Sequence, residues 1–192
     1  MVQYRDPHTF LDGEEFTAWI ANQDLRDNLR YVRGLHYAGG CRTCDYSPGV
    51  NLGMVANSAH YIRVRGNGTI SALALFCTAE NGSVSVGVYS SKVVGNQTLP
   101  DALVAYSGVV KCPGADEPGI VALNTPVEVG GDSWFAIACN SAAAAFRACS
   151  SNTAANTLLA NYVCQQSDVF PLPTLATGVA GGPVFMIEGV LV

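Results

Sequence analysis

The chain has 192 residues, of which 49% are hydrophobic and only 13% are charged, so its composition is that of a globular protein and not of a disordered one. Its net charge is -5 and it contains no basic patch, which argues against nucleic-acid binding through phosphate contacts. No apolar run approaches the roughly 18 residues of a membrane-spanning helix, and the polar, acidic N-terminus is not a secretory signal. We therefore expect that the protein does not insert into a membrane and that it is synthesised in a cytoplasm.

Charge is concentrated at the start of the chain. Residues 1–33 carry ten charged side chains, whereas residues 66–192 carry only eleven. Between these regions the sequence GLHYAGGCRTCDYSPGVNLG is punctuated by Gly and Pro and loses periodicity. We predict an N-terminal attachment or oligomerisation segment over 1–35, a connector over 36–58, and a β-sandwich domain over 59–192.

The run EEFTAWIANQDLRDNLRYV predicts a helix over 18–32. Thr17 stands at the N-cap position. Glutamates precede it and arginines occupy the far end, and both charge biases stabilise a helix through its dipole.

One face of this predicted helix has the spacing of a coiled coil, because its positions alternate steps of four and three. An asparagine at such a position costs stability but fixes register and strand number. Two heptads are too few to hold chains together alone, so the helix would need the following domain or a larger assembly. The alternative is that this face packs on its own β domain. The predicted oligomerisation seam consists of Ala18, Asn22, Leu25, Leu29 and Val32.

The run DGEEFTAWIANQDLRDNLRYV resembles the N-terminal segment of many tailed-phage virion proteins, in which "DGe.lTA" leads into "..N...RDNL.yL". The matching residues are Asp12, Gly13, Glu14, Phe16, Thr17, Ala18, Asn22, Arg26, Asp27, Asn28, Leu29 and Val32. The resemblance implies a virion appendage, such as a fibre, spike or decoration protein, often trimeric, with this segment at the attachment end. The predicted virion-attachment residues are Phe16, Thr17, Arg26 and Asp27, which match the pattern, and Trp19 and Ile20, which depart from it but lie off the seam, where they could contact a docking partner.

The seven cysteines include one CxxC motif, Cys41 and Cys44. A structural zinc site usually needs four ligands, and this motif supplies two. His36 and His60 could complete a site, but their spacing matches no standard pattern. Buried thiols in a reducing compartment are the preferred interpretation, so we expect no metal and no cofactor, with Cys41 and Cys44 as the alternative metal ligands.

Short runs of alternating apolar and polar residues begin near His60 and predict about eight to ten antiparallel strands, in a sandwich or jelly roll. Asn-Gly at 67–68 and 81–82 predicts hairpin turns, and Gly-Gly-Asp at 130–132 a further turn. Residues 91–100 read as a polar loop. The chain ends in the apolar run PVFMIEGVLV, which we expect to pair in a sheet or to lie in a subunit interface.

The run from 83 to 139 resembles a β-sandwich domain common in phage tail and fibre proteins. Its recurring "vgvY", "s.SG.v..p", "l..pv.l..G" and "yw.ala" elements correspond here to Val86–Tyr89, Ser107–Val109, Leu123–Val129 and Trp134–Ala138. Such sandwiches serve as glycan-binding modules, capsid decoration or spacers, so the fold alone does not define the function.

No catalytic motif is complete. GGDSW and GGPV resemble pieces of a serine-protease site but lie far apart, and no G-x-S-x-G, P-loop or G-x-G-x-x-G occurs. The strand aromatics are expected in the core, with Tyr61 and Tyr162 as the alternative sugar-stacking platform. Carboxylates that could form a glycosidase pair all lie in or beside predicted turns; they are Glu80, Asp101, Asp116, Glu117, Glu128 and Asp132.

The sequence thus predicts a non-enzymatic structural protein of a tailed-bacteriophage virion, assembled in the host bacterial cytoplasm. The expected partners are further copies of the chain, in a trimer, and other capsid or tail proteins. A host-surface glycan is a further possible partner if the chain is a receptor-binding module. A polysaccharide depolymerase is the more remote alternative.

Overall fold

The computed structural model describes Thr43 and residues 50–64, 66–114, 118–148 and 163–192. These residues form two antiparallel sheets, one of which curls into a half-barrel. The predicted mainly β, sandwich-like architecture is therefore confirmed. The predicted helix over 18–32 lies outside the described residues.

The described strands are divided between the two antiparallel sheets. The five-stranded sheet has the order β1-β9-β3-β12, with β7 also paired to β3, and the seven-stranded sheet has the order β11-β10-β2-β8-β4-β5, with β6 also paired to β4. The bounds are β1 Val50–Gly53, β2 Ser58–Arg63, β3 Gly68–Ala79, β4 Ser83–Val94, β5 Gln97–Tyr106, β6 Val110–Lys111, β7 Pro118–Val129, β8 Trp134–Cys139, β9 Ala145–Ala148, β10 Val163–Gln166, β11 Val179–Ala180 and β12 Ile187–Leu191.

Both Asn-Gly dipeptides connect different sheets, so the hairpins predicted at 67–68 and 81–82 are wrong. The chain passes from β2 in the seven-stranded sheet to β3 in the five-stranded sheet, and then back to β4 in the seven-stranded sheet. Gly82 has the positive φ of 71° that such a turn needs. The dipeptide sets the local backbone conformation, but it does not choose the partner of the strand that follows.

The chain forms a hairpin where the sequence predicts a polar loop over 91–100. β4 continues to Val94 and β5 begins at Gln97, with Gly95 at a φ of 60° in the two-residue turn. Lys92 and Asp101 form an ion pair across the hairpin at 3.2 Å. Because this end of the hairpin projects from the domain, its side chains are polar or exposed, and hydrophobic alternation gives no signal for the strands.

The core between the sheets is built from inward-facing strand positions. In β3, for example, Leu73 and Leu75 face the core, and Val84, Val86 and Val88 do so from β4. Burying one such side chain contributes about 1.5–3 kcal/mol. The largest fully buried members of this core are Ile62, Ile70, Leu73, Leu75, Phe135, Ile137, Phe146, Phe185 and Ile187.

A second core lies on the other face of the seven-stranded sheet, under residues 167–178, here called the cover segment. Leu172 and Ala176 of this segment pack on Tyr61, Tyr89 and Trp134. Its backbone is tied to β5 by hydrogen bonds of 2.9 and 2.8 Å. The central strand β8 is therefore buried on both faces, which explains why its sequence, WFAIAC, is continuously apolar.

Packed structure extends to both ends of the described chain. β1 pairs with β9 and lies inside the range 36–58 that the sequence predicts as connector. Earlier still, Thr43 is fully buried and its N–H donates to the carbonyl of Ile187 at 3.1 Å. The apolar C-terminal run includes β12, which pairs with β3, so the expectation that it pairs in a sheet is confirmed.

Candidate functional site

The predicted assembly residues lie outside the described part of the chain. This applies to every residue of the oligomerisation seam and of the virion-attachment set, and also to both cysteines of the CxxC motif. The residues concerned are Phe16, Thr17, Ala18, Trp19, Ile20, Asn22, Leu25, Arg26, Asp27, Leu29, Val32, Cys41 and Cys44.

A groove of about 540 Å³ lies where the β4–β5 hairpin meets the turn between β7 and β8. Apolar side chains and polar groups both line it. The apolar lining includes Val93, Val104 and Val127. The polar lining consists of Ser90, Ser91, Thr98, Glu128, Asp132 and Ser133, together with Tyr89 and the backbone of Gly130 and Gly131.

The turn at one side of this groove is held by several short contacts. Ser133 N–H donates to the Gly130 carbonyl at 2.9 Å, and Gly130 N–H donates to Ser133 Oγ at 3.1 Å. Arg63 Nε donates to the Gly131 carbonyl at 2.6 Å, and Arg63 Nη2 pairs with Asp132 Oδ1 at 2.7 Å. Asp132 nevertheless keeps 86% of its side chain exposed, so its carboxylate is positioned and still accessible to a ligand.

Ser91 joins the groove to the second core. Its hydroxyl donates to the Asp132 carbonyl, and its Oγ accepts a hydrogen bond of 2.9 Å from Trp134 Nε1. The Trp134 ring is fully buried, so its N–H needs this partner. Sequence reasoning missed Ser91. The signal that could have pointed to it is the indole N–H of a core tryptophan, which requires a polar neighbour.

The candidate glycosidase carboxylates are mostly engaged elsewhere. Glu80 pairs with Lys111 at 2.5 Å, and Asp101 with Lys92 at 3.2 Å. Only Glu128 and Asp132, of the candidates that the structure describes, line the same groove. Two further candidates lie outside the described residues; they are Asp116 and Glu117. Two carboxylates and several hydroxyls along one groove form an arrangement that can hydrogen-bond to a polar ligand.

The interpretation of Tyr61 as a sugar-stacking residue is wrong. Its side chain is fully buried, with its ring packed edge-on against Tyr89 at 5.0 Å between centroids. Its hydroxyl donates to Gln166 Oε1 at 2.9 Å, and burial raises its pKa to about 12. The cover segment removes this ring from solvent. Tyr162 lies outside the described residues.

His60 is also buried, at 1% exposure. Its ring packs edge-on to Phe185 at 5.0 Å between centroids, and neither ring nitrogen has a hydrogen-bond partner among the described residues. Burial lowers its pKa to about 4, so the imidazole is neutral at pH 7. Within the described ranges, no group of three or more His, Cys, Asp or Glu side chains is arranged to hold a metal ion.

Comparison with known proteins finds no match: no family model, no curated protein and no solved structure is significantly similar to this chain. Among the residues that the structure describes, no helix has the length and apolar character needed to cross a membrane.

Proposed function

We propose that this chain is a structural, non-enzymatic protein of a tailed-bacteriophage virion, attached to the capsid or the tail as a fibre, spike or decoration protein. The observation that carries the proposal is the joint occurrence of two sequence resemblances, one in the N-terminal segment and one in the β domain. The sandwich-like pair of antiparallel sheets is consistent with the second. In detail, we propose a jelly roll preceded by one short helix.

Assembly is the proposed mechanism. Each copy contributes one apolar helical seam, and Asn22 aligns the copies, most simply as a trimer. The sandwich then supplies lateral contacts. Closed cyclic symmetry follows if every copy presents two complementary faces. On this proposal the chain assembles in the host bacterial cytoplasm with other virion proteins as partners.

The outer face of the five-stranded sheet supports a lateral contact. In β7, Val121 faces the core, so Ile120 and Ala122 point outward. Their cross-strand partners in β3 are Ala74 and Ala72. Ile120 is 67% exposed. Ala72 and Ala74 are only 6% and 7% exposed, so the surface offered to another subunit is centred on the exposed Ile120 and Ala122.

The first test is the solution mass of the full chain by multi-angle light scattering, with Leu25→Asp as the seam variant. Gln23→Asp, off the predicted seam, is the matched control. We expect a trimer that falls to monomer with Leu25→Asp and persists with Gln23→Asp, because a buried carboxylate would be unpaired in the seam. A monomeric full chain, or equal behaviour of both variants, would contradict assembly through the seam.

The second test concerns the lateral face. Ile120→Asp should weaken the oligomer without changing the unfolding midpoint of the domain, because position 120 is exposed in a single copy. Val93→Asp is the matched control, since Val93 is 74% exposed but lies near the end of the β4–β5 hairpin. If both variants keep the native mass at low protein concentration, the proposed lateral contact is wrong.

The groove beside Asp132 favours a second candidate function, binding of a host-surface glycan. An accessible carboxylate fixed by Arg63 and adjacent hydroxyls are the groups such a ligand needs. A glycan array probed with the full chain tests it, with Asp132→Ala as the groove variant and Asp168→Ala as the control elsewhere on the surface. Binding that Asp132→Ala abolishes supports recognition. An array without signal, or signal that survives Asp132→Ala, contradicts it.

A further inference from the structure

Two buried thiols lie in contact between the sheets. Cys77 Sγ and Cys112 Sγ are 3.5 Å apart, and each residue is 2% exposed. Cys77 lies near the end of β3, in the five-stranded sheet. Cys112 directly follows β6, in the seven-stranded sheet, and its N–H donates to the Gly82 carbonyl at 3.0 Å. The pair therefore bridges the two layers of the sandwich.

The surroundings of this pair favour a bond between the sulfurs and not a metal site. Cys139 is a third thiol nearby, but its Sγ accepts a hydrogen bond from Ser141 N–H at 3.4 Å and is held toward the turn after β8. No described cluster of His, Cys, Asp and Glu can hold a metal ion here. A sulfur–sulfur bond needs the atoms about 2.05 Å apart, so small side-chain rotations would close the remaining distance.

We propose that Cys77 and Cys112 form an inter-sheet disulfide when the protein meets an oxidising environment. With oxidised glutathione as the oxidant, one cysteine thiolate attacks the glutathione disulfide and releases one glutathione. The second cysteine then attacks the mixed disulfide and releases the other. Both protein thiols lose their protons, two electrons pass to glutathione, and the protein S–S bond forms. The proposal does not depend on the function proposed above.

Burial makes this reaction slow in the folded state. It raises the pKa of Cys77 to about 12, with the neighbouring Cys112 contributing, so almost no thiolate exists at neutral pH. Because both thiols are only 2% exposed, the oxidant also reaches them only when the fold opens locally. We therefore expect the bond to form quickly during refolding and slowly in the native protein.

The experiment is to refold the full chain from urea with oxidised and reduced glutathione at pH 8, block the remaining thiols, and map disulfide-linked peptides by mass spectrometry. The expected product joins Cys77 to Cys112 in at least about ten-fold excess over a Cys112–Cys139 product. Oxidation should raise the thermal midpoint by roughly 5–15 °C. Cys112→Ala should remove both the linked peptide and this rise, whereas Cys164→Ala should keep both, since Cys164 packs in the second core.

Refolded wild-type chain without the Cys77–Cys112 peptide would overturn the proposal, as would a dominant Cys112–Cys139 product. A midpoint rise that persists in Cys112→Ala would assign the stabilisation to other cysteines and would equally overturn it. Because the reduced wild-type chain is the reference for each measurement, a poorly folding variant does not prevent the peptide map from deciding.

Discussion

Thr43 binds both backbone groups of Ile187, a residue 144 positions later in the chain. Its N–H donates to the Ile187 carbonyl at 3.1 Å, and its Oγ1 accepts the Ile187 N–H at 2.9 Å. The hydroxyl itself donates to the Phe185 carbonyl at 2.6 Å. The chain is thus fixed to the C-terminal strand well before β1.

Replacing Thr43 by valine should lower the free energy of unfolding by about 1–3 kcal/mol. The substitution keeps the shape of the side chain but leaves the buried Ile187 N–H without its acceptor. Urea denaturation measures the change. Thr125→Val is the control, because Thr125 is exposed and its hydroxyl makes only a local contact of 3.4 Å; we expect a change of less than about 0.5 kcal/mol there. Equal effects of the two variants would contradict a structural role for the Thr43 hydroxyl.

His60 should make the domain sensitive to mild acid. Its folded-state pKa is about 4, below its ordinary value of 6.5, so between these values the unfolded chain binds a proton that the folded chain does not. Stability is therefore full above pH 6.5 and falls as the pH is lowered toward 4. From pH 7 to pH 5 the loss should be about 2 kcal/mol.

Denaturant titrations at pH 7, 6 and 5 test this expectation, with His60→Leu as the variant that cannot titrate. The variant should show a smaller fall in stability over this range, whatever its stability at pH 7. Parallel curves for the two proteins would show that protonation of His60 does not control the acid response.

Gly87 is a position where the packing of β4 excludes a side chain. A Cβ there would lie 2.8 Å from Leu103 Cδ1 and 2.9 Å from the Ala105 carbonyl oxygen, and the second of these is backbone. Gly87→Ala should therefore cost about 1–3 kcal/mol of stability, measured by chemical denaturation. Gly130→Ala is the control, because nothing lies within 4 Å of its Cβ position. A near-neutral Gly87→Ala would mean that β5 shifts freely away from β4.

The hydrogen bond between Trp134 and Ser91 should couple the second core to the groove. Ser91→Ala would leave the buried indole N–H without its partner and should cost about 1–3 kcal/mol. Trp134→Phe removes the same bond, so the double variant should cost less than the sum of the two single ones by about 0.5–1.5 kcal/mol. A double-mutant cycle in urea measures this coupling energy. Additive effects would show that the hydrogen bond contributes nothing to stability.

Particular residues show where sequence patterns carry structural information. The alternation around Leu73, Leu75 and Val121 identifies core-facing strand positions, because a pleated strand places successive side chains on opposite faces. The same reasoning fails at Asn67-Gly68 and Asn81-Gly82, where the turn is local but the following strand pairs with strands that are distant in the chain: β3, for example, pairs with β7, β9 and β12. It fails again at Gly95, where an exposed hairpin offers no hydrophobic pattern.

The candidate groove was even less accessible to sequence reasoning. Asp132 stands out only as a turn residue, and Ser91 does not stand out at all. They meet because the β4–β5 hairpin and the β7–β8 turn converge beside Trp134. The Ser91–Asp132 hydrogen bond therefore joins two residues that are 41 positions apart in the chain. The types of the two side chains alone do not predict that these distant residues come into contact.

The sequence by itself determined the mainly β character of the domain, most of its strand positions and the absence of a complete catalytic motif, because these depend on local periodicity and residue spacing. Tertiary structure decided the features that join distant parts of the chain. It assigned strands to sheets, covered Tyr61 with residues 167–178, brought Cys77 against Cys112 and closed Thr43 onto Ile187. Each of these depends on contacts between distant segments, whose formation is driven by the burial of a shared apolar surface and not by any local signal.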